Sequence, residues 1–331
     1  MLDADLERLG DQIDRLVTVE MRPAHGSVPA GLVVPLYQVC RAANGRPLST
    51  AAAEALVNSV TDRPLLIVTG AGAPPALPAG ETDGPPGAVT LALAAQRGLR
   101  ARPQLITEEA HAPAVRECLK IATDGDIPLQ IFPYGDPATA GLAAERILDR
   151  HTPGAVVFVE RDGANAEGRY HGVRGNCRAP LDVARADLLA AAARRRGITT
   201  IGIGDGGNEV GFGGVREQVR TLFPRRADCT EGCPSGRITT VETDVCVSAG
   251  VSNWGAYGVT AALAAMIKDL DLIPAPAQEH ALVEACLRGG ARDGATDDHA
   301  ISVDGIPSEG HSAIVTLLRT IAAFTSGQPV K

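Results

Sequence analysis

Hydrophobic and polar positions follow two rhythms along this chain. In residues 1–22, Leu2, Leu6, Leu9, Ile13 and Leu16 recur at three- and four-residue spacing, the apolar stripe of an amphipathic helix. A Pro- and Gly-containing stretch at 23–35 breaks it, and 50–60 (TAAAEALVNSV) reads as helix again. From residue 64 onward short continuous apolar runs bounded by Gly or Pro take over: PLLIVTG (64–70), PQLIT (103–107), PLQIFP (128–133), AVVFVE (155–160) and TTIGIG (199–204). Helical stretches separate them at 88–98, 113–122, 139–151 and 183–197. Continuous apolar strands alternating with helices predict an α/β fold, a three-layer, mostly parallel sheet with helices on both faces. The chain divides into an N-terminal helical segment, 1–60, packed on a main α/β domain, 61–331.

In such sheets ligands bind outside the carboxyl ends of the strands, so the loops that follow strands carry the functional information. One follows PLLIVTG and runs through GETDGPPGA (80–88) into a helix. Glu81 and Asp83 lie between its glycines, and Pro85 and Pro86 suit a helix start. A second, GIGDGGNEVGFG (202–213), has six glycines in twelve residues, the composition of a backbone that wraps something. It matches GxGxxG at Gly202, Gly204 and Gly207. Asp205 within the match and Glu209 after it would repel a pyrophosphate, so a dinucleotide is rejected. Asp205, Asn208 and Glu209 suit a hard divalent cation instead. FVERDG (158–163) sets Glu160 and Arg161 at another strand end, and VSNWGAY (251–257) sets Asn253 and Trp254 before an apolar helix. The segment 292–305 offers Asp293, Asp297, Asp298, His299 and Asp304; its Asp-Gly pairs read first as turns, though its acidic density also suits the wall of a site.

Composition narrows the chemistry. With 331 residues the chain can bury a full core without staples. Its formal net charge of -8 argues against nucleic acid as a partner. No stretch reaches the ~20 apolar residues of a membrane span, and the charged N-terminus has no signal-peptide core. The expectation is a soluble, cytoplasmic protein, compatible with a homo-oligomer. Lys120, Lys268 and Lys331 are the only lysines, none in a promising setting for a Schiff base, and GxxxxGK[ST], GxSxG and HExxH are absent. The seven cysteines are scattered, as in a reducing compartment. Only Cys229 and Cys233 lie close, in CTEGC, with no second pair and no nearby His pair, so a turn holding two thiols is expected rather than a zinc site.

The acids Glu81, Asp83, Glu160, Asp205 and Glu209 recur at strand-end loops that a parallel sheet brings to one edge. Gathered there, carboxylates repel one another unless a cation sits among them. Oxygen donors point to Mn²⁺ or Mg²⁺, with Ca²⁺ as the third candidate, rather than zinc.

The strings ETDGPPGA, Glu160-Arg161 with Gly163, Glu167-Gly168 with Tyr170 and Arg174, GIGDGGNEVGFG and VSNWGAY occur in the same order in the D-glutamate cyclase family, which the chain resembles from about residue 60 to its C-terminus. It departs at Ala164, Gly172 and Phe212, where Arg, Asn and Met are usual, and in CTEGC. The resemblance implies a lyase that closes D-glutamate, a small amino-acid substrate, to 5-oxo-D-proline with loss of water. For that chemistry Asp205 and Glu209 are expected to ligate the metal, with Glu81 and Asp83 as further ligands or the base. Glu81, Asp83 and Glu160 remain equal candidates for the base. Asn208, Asn253 and Trp254 fall to the substrate, and Arg161 or Arg174 to its α-carboxylate. The alternative activity is a divalent-metal-dependent hydrolase of a small phosphate ester or amide.

Overall fold

A computed structural model describes residues 3–21, 30–123, 126–222, 229–296 and 298–329. Three helices, α1 (Asp3–Val17), α2 (Val33–Asn44) and α3 (Leu48–Val60), precede the sheet. Then follow β1 (Pro64–Thr69), α4 (Pro85–Leu99), β2 (Arg102–Thr107), α5 (Ala112–Thr123), β3 (Leu129–Ile131), α6 (Pro137–His151), β4 (Ala155–Val159), α7 (Leu188–Arg195) and β5 (Thr199–Gly204). The chain continues with α8 (Arg216–Leu222), β6 (Val245–Ser248), α9 (Ser252–Ile267), α10 (Pro276–Arg288), a hairpin of β7 (Ser302–Val303) and β8 (Ile306–Pro307), and α11 (Ser308–Ser326).

Six strands form one parallel sheet in the order β3-β2-β1-β4-β5-β6. Alternate residues of β1 enter different layers: Leu65 and Ile67 join the larger core, while Leu66 and Val68 join the core under α6 and α7. Burial on both faces is why these strands read as unbroken apolar runs. The same holds for α9, whose residues 252–265 are all buried and which packs against α3, α4 and α11. The N-terminal helices share that larger core through Leu9, Ile13, Leu36 and Leu56. Asp14 on α1 caps α3, its carboxylate accepting from the amides of Leu48 (2.7 Å) and Ser49 (3.0 Å). No described helix is long and apolar enough to cross a membrane.

The differences from the sequence pattern have local causes. Helix α2 begins inside the stretch expected to break structure, because Pro35 falls in its first turn, where the missing N–H costs nothing. Helix α7 starts five residues later than its apolar pattern, because 183–187 is taken up by tertiary bonds: Glu108 accepts from the Ala184 amide (3.0 Å), and Asp187 accepts from Tyr170 Oη (2.5 Å) and the Ala164 amide (3.1 Å). The Asp304-Gly305 pair makes the two-residue hairpin turn its sequence signals, with φ of 55° and 75°.

Candidate active site

The strand order reverses direction between β1 and β4, both of which start from the middle of the sheet. A crevice opens outside the carboxyl ends of the strands at such a switch point. The loops after β1, β4 and β5 meet there around a cavity of about 290 Å³. That volume suits a small metabolite rather than a dinucleotide.

Local backbone demands explain how the sequence places the acids. Gly84 has φ of 99°, and a Cβ there would lie 2.8 Å from Thr69 Oγ1 and 2.9 Å from Glu160 Cβ, so only glycine lets the loop after β1 press against β4. Glu160 itself is left-handed, with φ of 43°, a strained conformation for a side chain with a Cβ. In the loop after β5, a Cβ at Gly202 would lie 2.1 Å from the Val210 carbonyl oxygen. The glycines of the GxGxxG match therefore let this loop fold back on its own strand, and the next helical turn begins only at Gly213, not at the third glycine where a pyrophosphate would need it.

Among the described residues seven carboxylates line the cavity, Glu81, Asp83, Glu160, Asp182, Asp205, Glu209 and Asp304, against the two guanidiniums of Arg174 and Arg178. Among the same residues two carboxylate trios are close enough to share one ion: Glu160, Asp205 and Glu209, and Asp83, Asp205 and Asp304, with one oxygen of each residue within 4.8 Å of the others in its trio. Asp205 belongs to both. Burial, then the charges of Glu209 and Asp205, push the Glu160 carboxyl well above the usual carboxylate range. Burial and then Asp304 do the same to Glu81. Glu209 is also raised by burial, against which the amides of Gly206 and Gly207 hold its charged form. Asn208 Oδ1 is buried without a hydrogen-bond partner among the described residues, while its Nδ2 donates to Asp162 Oδ1 (3.1 Å) and to the His171 carbonyl (3.2 Å). Crowded carboxylates and an unpartnered amide oxygen on one cavity form an all-oxygen donor set, which fits a hard divalent cation.

Of the residues singled out in the sequence, Glu81, Asp83, Glu160, Arg174, Asp205, Asn208 and Glu209 lie on the cavity wall. Arg161, Asn253 and Trp254 do not. Arg161 is buried, with its Nη atoms on the Gly70 carbonyl (2.7 Å), Glu108 (2.6 Å) and the Ala184 carbonyl. No fork remains for a substrate carboxylate. Asn253 caps α4, its Oδ1 accepting from the amides of Gly84 (3.0 Å) and Gly87 (2.8 Å) and its Nδ2 donating to the Thr82 carbonyl (3.1 Å). Trp254 is core, its Nε1 donating to His311 Nδ1 at 2.7 Å. In the C-terminal acidic segment Asp293 is structural, accepting from Ser302 Oγ (2.6 Å) and the Ala295 amide (2.8 Å). Asp304 of the same segment reaches the cavity, and Asp297 lies outside the described residues.

Arg178 is a cavity residue that the sequence pattern does not reveal. Its side chain is 8% exposed and its Nε pairs with Asp162 Oδ2 at 3.2 Å. Its Nη1 is buried without a hydrogen-bond partner among the described residues. A buried guanidinium N–H on a cavity wall is a ready donor for an anionic ligand.

The sequence profile described as "D-glutamate cyclase-like, C-terminal" matches residues 37–319. A human protein named "D-glutamate cyclase, mitochondrial" is 35% identical over 197 residues, which cover 56% of this chain and 30% of that relative. The chain thus spans less than a third of the relative's length.

Proposed function

The chain belongs to the D-glutamate cyclase-like family, and on that footing we propose that it is a lyase that closes D-glutamate to 5-oxo-D-proline with loss of water. The observation that carries this reading is the pairing, on one small cavity, of an all-oxygen cation site with the Arg178 guanidinium, whose Nη1 has no hydrogen-bond partner among the described residues. Glutamate brings two carboxylates and an ammonium group, and the cavity offers a complement for each.

Asp205, Glu160 and Glu209, with Asp83 and Asp304 on the other side of Asp205, are the residues that would hold a divalent cation, Mn²⁺ or Mg²⁺. Such an ion, when bound, supplies Lewis acidity toward a carboxylate, which is otherwise a poor electrophile. Arg178, with Arg174 beside it, receives the substrate α-carboxylate and so fixes the amine against the side-chain carboxyl carbon. Arg174 is steadied by its own bond to the Ala295 carbonyl at 2.9 Å. Closure is already intramolecular, and holding both ends adds the orientation a five-membered ring needs.

The amine must lose its proton before it attacks. Glu81 is the best-placed acceptor. It lies on the cavity outside both carboxylate trios, and its carboxyl is raised toward the range where it takes a proton from an ammonium group more readily. Asp83 is a weaker candidate, because its oxygens are already committed to the amides of Gly84, Ser252 and Asn253 at 2.7–2.9 Å. Atoms balance: the nitrogen gives up two protons as it gains the ring C–N bond, a side-chain carboxyl C–O bond breaks, and that oxygen leaves as water carrying both protons, at least one relayed through Glu81.

The test is to incubate metal-loaded and chelator-treated protein with D- and L-glutamate and resolve 5-oxoproline by chiral chromatography. Metal-dependent formation of the D-product is expected. No product from either enantiomer, with turnover of a generic phosphate ester instead, would replace this reading with the hydrolase.

A further inference from the structure

A second group of metal-ligating side chains lies next to the acidic cavity and is chemically unlike it. His171, Cys177, Cys229 and Cys233 each offer one ligand atom, all within 4.8 Å of one another. Cys177 Sγ stands 3.1 Å from His171 Nε2, 3.3 Å from Cys229 Sγ and 3.4 Å from Cys233 Sγ. In the sequence, Cys229 and Cys233 lack a second pair; the fold supplies one from 52 residues away.

We propose that His171, Cys177, Cys229 and Cys233 bind one structural zinc ion that fastens the 229–233 turn to the wall of the active-site cavity. Three thiolates and one imidazole make a closed Cys₃His set, which favours zinc over the hard cations of the neighbouring carboxylates. A tetrahedral ion with Zn–S of about 2.3 Å and Zn–N of about 2.0 Å separates its ligand atoms by roughly 3.5–3.8 Å. The three distances around Cys177 Sγ need to open by only a few tenths of an ångström to take that spacing, and the remaining ligand atoms lie within 4.8 Å of one another.

The surrounding backbone is arranged as metal-binding turns require. His171 and Cys177 face each other across an antiparallel bridge closed by a turn, with the Gly172 amide on the Asn176 carbonyl at 3.0 Å and the Gly175 amide on the Gly172 carbonyl at 2.9 Å. This places Nε2 and Sγ on one side. On the other segment the Glu231 amide donates to Cys229 Sγ at 3.3 Å, a bond that supports a thiolate. Binding releases three thiol protons and leaves a net charge of one negative on the ion and its ligands. Arg169 Nη1, 3.5 Å from Cys233 Sγ and 3.9 Å from Cys177 Sγ, offsets that charge. A disulfide accounts for the cluster less well: it would consume two sulfurs at about 2.0 Å and leave a third thiol and the imidazole gathered for nothing.

The consequence for the cavity is direct. Cys177 itself lines it, as do Arg174 and Arg178 in the same hairpin. The His171 carbonyl holds Asn208, and the Gly175 carbonyl accepts from the amide (3.0 Å) and Oγ1 (3.1 Å) of Thr230. The ion thus locks the segment that carries the Arg178 guanidinium.

The test is elemental analysis of protein purified without added metal, alongside Co²⁺ substitution of the wild-type chain. One zinc per chain is expected, kept in Asp205→Asn and lost in Cys229→Ser and Cys233→Ser. The Co²⁺ form should show thiolate-to-metal charge transfer and the visible bands of a tetrahedral site. The Co²⁺ spectrum keeps the proposal testable if the serine variants fail to fold. Substoichiometric zinc in the wild type with no thiolate charge transfer, or mass-spectrometric detection of a disulfide among Cys177, Cys229 and Cys233 in freshly purified protein, would overturn it.

Discussion

Ser252 Oγ donates to Glu160 Oε2 at 2.6 Å, joining the strained strand end of β4 to the first turn of α9. This bond turns the Glu160 carboxyl toward Asp205 and Glu209, so Ser252 orients a proposed metal ligand without itself lining the cavity. Ser252→Ala should weaken Mn²⁺ affinity or metal-dependent turnover by about 10–100-fold, the usual cost of losing such an orienting partner. Metal titration and steady-state kinetics of the variant check this.

The two arginines after β4 should separate by kinetics. Arg178→Gln is expected to raise KM for glutamate by about 10–100-fold, the worth of a hydrogen bond to a charged group. It also removes the cation 3.2 Å from the buried Asp162 carboxylate, so some stability is lost with it. Arg161→Met should lose about 3–5 kcal/mol of stability, because it strands the buried Glu108 carboxylate, while KM of the folded fraction stays close to wild type. Steady-state kinetics beside denaturant unfolding of both variants distinguishes the roles.

Glu81→Gln should lower kcat by about 10²–10⁴-fold, the range for loss of a general base. It should leave Mn²⁺ affinity close to wild type, since Glu81 stands outside both carboxylate trios. Parallel kinetics and metal titration measure both quantities on one preparation.

Glu279 predicts how stability responds to pH. It is fully buried in α10, neither oxygen has a hydrogen-bond partner among the described residues, and burial pushes its carboxyl up from 4.5 to about 8. The folded chain therefore keeps the proton while the unfolded chain releases it. Stability falls as pH rises from about 4.5 toward 8, then levels off. Glu279→Gln should flatten that decline and exceed the wild type at pH 8 by at most about 4 kcal/mol. Thermal or denaturant unfolding at pH 5, 6.5 and 8 reads the slope.

The strand-end acids were legible in the sequence because buried parallel strands are continuous apolar runs, and their loops must share an edge. Glu81, Asp83, Glu160, Asp205 and Glu209 followed from that reasoning and stand on one cavity. Asn253 and Trp254 follow a strand and precede a helix too, but a helix N-terminus and a large aromatic also have structural needs. The first amides of α4 claim Asn253, and the core claims Trp254. Asp304 was visible only as one acid of a run that reads first as turns, and a two-residue turn near the C-terminus is what brings it to the cavity. Arg178 was not legible, because it ends no strand of the main sheet and is placed by the hairpin after His171. The Cys₃His group escaped for the same reason, its halves lying 52 residues apart.

The central claim is that acids from separate strand ends converge to hold one hard divalent cation, with Asp205 common to both trios. Isothermal titration of Mn²⁺ into the wild type and Asp205→Asn, with circular dichroism to verify the fold, tests it most directly. The wild type should bind one Mn²⁺, and the variant should bind it about 100-fold more weakly or not at all while keeping its spectrum. Equal Mn²⁺ affinity in the two proteins, or no binding by the folded wild type, would contradict the account.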